Sequence, residues 1–123
     1  MKQHSSRFLT LVAHSKKRIT AITPLSLHEK IANKESFCLI DVREDHEWVT
    51  GHIAGAIHKS KGIIERDIEK EIPDTQTAIV LYCSGGFRSI LVADSLQQMG
   101  YRQVYSLDSG LSGWVESGYT IEK

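Results

Sequence analysis

The chain has 123 residues, with 15 basic and 15 acidic side chains and 41% hydrophobic residues. That length suits one domain with one real core, and the composition is that of an ordinary soluble globular protein. Balanced charge gives no reason to expect a nucleic-acid partner, and no apolar run approaches the roughly 18 residues of a membrane span. No short apolar segment with a cleavage site opens the chain. The two cysteines, Cys38 and Cys83, form no Cys-x-x-Cys pair; this argues against a disulfide scaffold and suits a reducing, cytoplasmic setting.

The charge is unevenly spread. Residues 1–28 hold five basic side chains and no acidic one, which leaves ten basic and fifteen acidic for the rest. An acid-free, Ser-containing start has the composition of an organellar transit peptide. Phe8, Leu11, Val12 and Ile19 argue instead for an amphipathic helix over 3–18 whose stripe caps one side of a sheet, with Lys16-Lys17-Arg18 complementing the helix dipole. Residues 1–19 are therefore expected to form a helical extension and residues 20–123 the domain proper.

Ile19 to Thr23 predicts a short strand broken by Pro24, and 26–32 a helix capped near Thr23 or Ser26. Phe37 to Val42 is a continuous apolar strand with Cys38 in the core. A short helix over His46–Val49 is followed by a glycine-punctuated turn, Gly51 to His58, that leads into a short strand. Ile64 and Ile68 give the charged stretch up to Glu71 a single apolar face. Pro73 and Asp74 then mark a turn before the apolar run Ala78 to Tyr82, which reads as a strand buried on both faces. Ile90, Leu91, Ala93, Leu96 and Met99 recur at helical spacing, with Gly100 as the stop. Gln103–Leu107 is the last strand, and Asp108 to Trp114 opens a final helix with Trp114 in the core. Alternating strands and helices predict an α/β fold, a parallel sheet of about five strands with helices on both faces.

Cys83 thus falls where a buried strand hands over to a helix N-terminus, the edge at which open α/β sheets place their ligands. Gly85 and Gly86 ease a loop that can turn successive N–H groups toward one point, and the helix adds positive partial charge. Arg88 supplies a guanidinium that stays charged and binds oxyanions with a fork of donors. A thiol inside such a ring loses its proton readily, and the thiolate is a nucleophile able to carry a covalent adduct. His46, His52 and His58 recur every six residues without sharing a helix face or joining a thiolate pair, so no metal site is expected. His52 approaching Cys83 would make a Cys–His hydrolase the competing arrangement.

The run Cys83-Ser84-Gly85-Gly86-Phe87-Arg88-Ser89 resembles the active-site loop of the rhodanese-like sulfurtransferases. A second resemblance pairs Asp41-Val42-Arg43 with Gly51-His52-Ile53-Ala54-Gly55-Ala56, and a third lies in Ser109-Gly110-Leu111-Ser112-Gly113-Trp114. The last is similar to the family's Gly-Gly-x-x-x-Trp element, with Ser109 in place of the first glycine. Together these segments cover about residues 20–120. The resemblance implies a rhodanese-like fold in which Cys83 takes sulfane sulfur as a persulfide. Ser84, Gly85, Gly86, Phe87, Arg88 and Ser89 would bind the sulfur or its donor, and Asp41 and Arg43 would brace the fold and the loop. It implies no cofactor, a small sulfur donor such as thiosulfate, and cyanide, a thiol or a protein as acceptor. Related phosphatases and arsenate reductases use a loop one residue longer, so the span from Cys83 to Arg88 favours sulfur over phosphate. A non-catalytic sulfur carrier or docking module is the remaining alternative.

Overall fold

A computed structural model describes residues 4–123. Five strands, β1 (Thr20–Ile22), β2 (Cys38–Asp41), β3 (Ile57–His58), β4 (Ala78–Tyr82) and β5 (Gln103–Leu107), form one sheet in the order β1-β5-β4-β2-β3. Every pairing is parallel. Among the described residues six helices accompany them: α1 (Ser6–Lys16), α2 (Pro24–Ala32), α3 (Asp45–Trp48), α4 (Lys61–Glu71), α5 (Phe87–Gln98) and α6 (Gly110–Glu116). No described helix is long and apolar enough to cross a membrane.

The sequence pattern accounts for the layering. β4 lies in the middle of the sheet, and Ile79, Val80, Leu81 and Tyr82 are all buried. Alternation then divides them. Ile79, Leu81 and Cys83 join Ile40 and Val42 of the β2 segment in a core closed by Ile64 and Ile68 of α4 and Val92, Ala93 and Leu96 of α5. Val80 and Tyr82 join Leu39 on the other face, under Leu27 of α2 and Trp114 of α6. Both faces are therefore covered, as an all-parallel sheet requires. α2 begins where Pro24 ends β1: the Thr23 hydroxyl accepts from the Ser26 amide at 3.1 Å, and proline occupies the first turn, where its missing N–H costs nothing.

α1 departs from the expectation that it caps the sheet. It packs on α5, so a helix lies between it and the strands. Ser15 Oγ donates to Asp94 Oδ2 at 2.8 Å, Arg18 donates to both Asp94 oxygens at 3.0 and 2.6 Å, and Gln97 donates to the Arg18 carbonyl at 2.7 Å. Helix-on-helix contact needs only a narrow seam, here Val12 and Ser15 three residues apart, both buried. Leu11, one step round the helix from Val12, is 54% exposed, which corrects its place in the predicted stripe. Ile19, past the helix end, does reach the core beneath α5. The helix begins at Ser6, and residue 3 of the predicted span lies outside the described residues.

The turn before α6 brings the chain close to the cysteine loop at the position after Ser109. Ser109 adopts a left-handed conformation (φ 64°), and Gly110 follows with φ 56°. A Cβ at Gly110 would stand 2.5 Å from the Cys83 carbonyl oxygen and 2.6 Å from that of Ser84. The close approach expected of the missing first glycine is thus carried by Gly110, and Ser109 fits without it. Gly110→Ala should cost about 2 kcal/mol or more, because strain and a backbone clash combine. Gly100→Ala, with φ 103° but open space around its Cβ, should cost only about 1 kcal/mol. Urea unfolding of the two variants measures this, and equal losses would contradict the close-packing account.

Candidate active site

The site is assembled at the carboxyl ends of the strands. Cys83 directly follows β4, and its carbonyl and that of Ser84 are claimed by α6: Leu111 N donates to Cys83 O at 2.8 Å and Ser112 N to Ser84 O at 3.0 Å. With those two oxygens held by α6, the loop turns through Gly86, whose φ of 97° suits glycine, into α5. The Gly86 amide donates to Cys83 Sγ at 3.2 Å. Phe87, Arg88 and Ser89 open α5, so their N–H groups have no intrahelical acceptor, and the helix dipole adds positive partial charge at this end. On its inner side the sulfur lies 3.6 Å from the Ser89 hydroxyl, which in turn pairs with Ser106 Oγ at 2.8 Å. Cys83 is only 1% exposed, yet it lines a cleft of about 630 Å³.

The expected loop residues divide between two roles. Ser84, Gly85, Phe87 and Arg88 line the cleft, while Gly86 and the buried Ser89 touch the sulfur itself. The sequence pattern predicts the helix over 3–18 but not that its start joins this wall, which Ser112 of α6 also lines. His4, Ser5 and Phe8, at and just before the start of α1, border the same cleft. Phe87 meets His4 edge-on at a centroid distance of 4.9 Å and Phe8 at 6.4 Å.

Arg88 does not stand free. Its Nη1 and Nη2 donate to the two oxygens of Glu47 at 2.7 and 3.0 Å, and Ser84 Oγ donates to the same carboxylate at 3.1 Å. The Arg88 hydrogen bonds hold the Glu47 carboxyl far below its ordinary 4.5, at about 2, against the opposing pull of burial. Glu47 in return holds the guanidinium pKa up, and charge on Cys83 adds to the effect. Glu47 is positioned by α3, where Glu44 and Glu47 form a reciprocal capping box. Sequence reasoning missed this residue. The Glu44-x-x-Glu47 spacing signals a helix start, but nothing local points across 41 positions to Arg88.

Asp41 and Arg43 are both buried. Arg43 Nε donates to both Asp41 oxygens at 3.1 Å, and Nη2 donates to Asp41 Oδ2 at 2.9 Å and to the Gly51 carbonyl at 2.6 Å. They brace the end of β2 and the turn at Gly51, but the side chain from this segment that reaches the cysteine loop is Glu47. His52 is engaged elsewhere, stacked on Trp48 at 3.6 Å and 3.8 Å from Glu122, so it is no partner for Cys83. Cys38 packs half-buried against the core, and burial pushes its thiol pKa up. Trp114 is buried, with its Nε1 donating to the Thr120 carbonyl at 2.9 Å.

A sequence profile of the rhodanese-like domain matches residues 23–117. The chain belongs to the rhodanese-like domain family. Its curated relatives include the tRNA uridine(34) hydroxylase of Chlamydia caviae, 36% identical over a 98-residue alignment, with 73% of this chain and 29% of the relative covered. The corresponding enzyme of Chlamydia trachomatis is 35% identical over a 104-residue alignment, again with 73% of this chain and 29% of the relative covered. This rhodanese-like chain therefore spans under a third of the length of those relatives. A rhodanese-related protein of Thermoplasma volcanium superposes with a TM-score of 0.73 at 26% identity, covering 84% of this chain and 97% of the other. A protein of Rhodopseudomonas palustris, described as of unknown function and a possible tyrosine phosphatase, gives 0.83 at 24% identity and covers 99% of both chains. At that identity the likeness is one of fold.

The Glu47–Arg88 pair makes a pH-dependent prediction. Because the folded carboxyl titrates below its unfolded value, the pair's stabilisation is complete above about pH 5 and lost as pH falls from 4.5 toward about 2. Glu47→Gln should cost about 1–2 kcal/mol at neutral pH, with the gap to wild type closing through that acid window. Urea unfolding across pH measures it; a gap independent of pH down to the acid limit would contradict the ion pair.

Proposed function

We propose that this rhodanese-like domain is a sulfurtransferase that carries sulfane sulfur on Cys83. The observation behind this reading is the Gly86 amide donating to Cys83 Sγ at 3.2 Å at the head of α5, within a cleft that Arg88 lines. Nucleophile and amide donor meet at the head of a helix, and Arg88, paired with Glu47, lines the same cleft, which suits stabilising a second sulfur anion.

The cycle has two halves. The Cys83 thiolate attacks the outer sulfur of thiosulfate or another persulfide-type donor; the new S–S bond forms as the donor's own S–S bond breaks, and sulfite or a thiolate leaves with the electron pair. In the second half cyanide, a thiol or a protein thiolate attacks the terminal sulfur, and Cys83 leaves as thiolate. No electron is gained from or lost to a third reactant. The amides of Ser84 to Ser89 hold the charged sulfur, Arg88 faces the donor's anionic group with the N–H groups Glu47 leaves free, and Asp41 and Arg43 support the fold around them. A reducing, cytoplasmic setting fits a thiol that must stay free.

Two observations favour other readings. The Rhodopseudomonas palustris neighbour is described as a possible tyrosine phosphatase, but the Cys83-to-Arg88 loop is one residue short of the phosphatase pattern. The Chlamydia relatives are tRNA hydroxylases by name, which gives a reading in which the domain serves tRNA. The chain's formal net charge of zero is a poor footing for phosphate-backbone affinity, so transfer between small molecules or proteins is preferred.

Intact-mass spectrometry after incubation with a sulfane donor should show one added sulfur atom, removed on addition of cyanide. Cys83→Ser should abolish both loading and turnover, and retained activity would reject the mechanism. Loading without turnover by any acceptor would point to the carrier reading, and hydrolysis of an aryl phosphate to the phosphatase.

A further inference from the structure

Two hydroxyl groups are buried behind Cys83. Ser89, on the first turn of α5, is 0% exposed, and Ser106, on β5, is 2% exposed. Neither lines the cleft. Cys83 Sγ lies 3.6 Å from Ser89 Oγ, which lies 2.8 Å from Ser106 Oγ. Among the described residues neither hydroxyl has a further hydrogen-bond partner, so the three atoms form an isolated chain. Packing gives no reason for a serine at 106. Its strand neighbours Val104 and Leu107 are buried and apolar, and an apolar side chain there would leave no polar group to satisfy.

The chain of three atoms has two directions, because a hydroxyl both donates and accepts. With Cys83 as a thiol, S–H donates to Ser89 and Ser89 donates to Ser106. A sulfur anion has no proton to give, and the order reverses: Ser106 donates to Ser89, and the Ser89 proton is left for Sγ. Burial makes the direction matter, since an unpaired polar group costs more away from water and bonds in a chain polarise one another. The second hydroxyl commits the first, because Ser89 can accept from Ser106 only while its own proton points to the sulfur.

We propose that Ser106 is a positioning residue for the reaction at Cys83: acting through Ser89, it holds a hydroxyl proton on Sγ whenever that sulfur carries charge. This rests on the persulfide cycle proposed above and deepens it. Sγ is charged at two moments. One is the free thiolate that attacks the donor. The other is the second half, when the bond from Sγ to the terminal sulfur breaks and Sγ leaves with the electron pair. Between them Sγ is the neutral inner atom of the persulfide. The hydroxyl chain therefore serves Sγ alone, whereas the loop amides also face the terminal sulfur.

The test compares the full chain with Ser106→Ala, Ser89→Ala and the double variant. Alkylation of Cys83 by iodoacetamide across pH, read by peptide mass, reports the thiolate without any sulfur transfer. Ser106→Ala should move the alkylation midpoint to higher pH by about 0.4–1 pH unit, roughly two- to ten-fold in the ionisation equilibrium and the worth of one hydrogen bond. It should slow transfer of sulfur from thiosulfate-loaded Cys83 to cyanide by a similar factor. In the Ser89→Ala background the same substitution should add nothing, since its effect passes through Ser89. A midpoint unmoved by Ser106→Ala overturns the inference, as does an effect that persists undiminished without Ser89. Slower transfer with an unmoved midpoint would mark a merely structural role and also overturns it. If thiosulfate and other sulfane donors never load Cys83, the sulfurtransferase reading falls, while the alkylation midpoint still decides whether the hydroxyl chain acts on the sulfur.

Discussion

A buried five-residue strand joined by the short loop of residues 83–86 to a twelve-residue helix is the constraint from which the site follows. The strand is held on both sides by parallel neighbours, so the position of Cys83 is set by the sheet and not by the loop. The helix cannot satisfy its own first amides. Between the two, α6 takes up the carbonyl oxygens of Cys83 and Ser84 through its own first amides. One helix start fixes the loop from outside, and another supplies the donors inside it. The sulfur is held near a source of positive potential without any side-chain cation touching it.

The second layer of control is electrostatic. Arg88 carries the fixed charge, but Glu47 determines where the guanidinium lies and how much of its field reaches the cleft. Because Glu47 stands on the short helix that follows Arg43, the buried Asp41–Arg43 pair and the cysteine loop belong to one connected arrangement. Its links are the Gly51 turn on one side and the Glu47 carboxylate on the other. An ion pair with side chains about one-quarter and one-fifth exposed is too wet to dominate stability. Its consequence is local: it makes the mouth of the cleft nearly neutral while the floor stays rich in N–H donors.

Sequence alone carried the central part of this arrangement, and the reason is physical. β4 is a continuous apolar run and β5 a β-rich run between turn residues, so their limits agree with the predicted ones, and the strand–cysteine–glycine–helix order places Cys83 without tertiary information. The parallel sheet follows from strands and helices that alternate along the chain. Pairwise partners across long separations did not show. Glu47 with Arg88, Arg18 with Asp94 and Phe8 with Phe87 each depend on how whole elements pack, and periodicity indicates a face without saying what covers it. The amphipathic stripe of α1 was legible, but its target was not, and so Leu11 was assigned to a buried face while it lies in solvent. The loop motif predicts Ser89 among the residues that bind the sulfur; as the third residue of α5 it lies on the inner side of Cys83, its hydroxyl 3.6 Å from Sγ.

The claim on which the account stands is that the amides at the head of α5 receive the charge of the second sulfur. Proton–nitrogen correlation spectra of the labelled protein, taken before and after loading with a sulfane donor, test this directly. The account predicts that the largest amide shifts fall on Gly85 to Ser89, with those around Cys38 unmoved. Shifts centred on Cys38, or a loaded protein whose loop amides do not change, would contradict it.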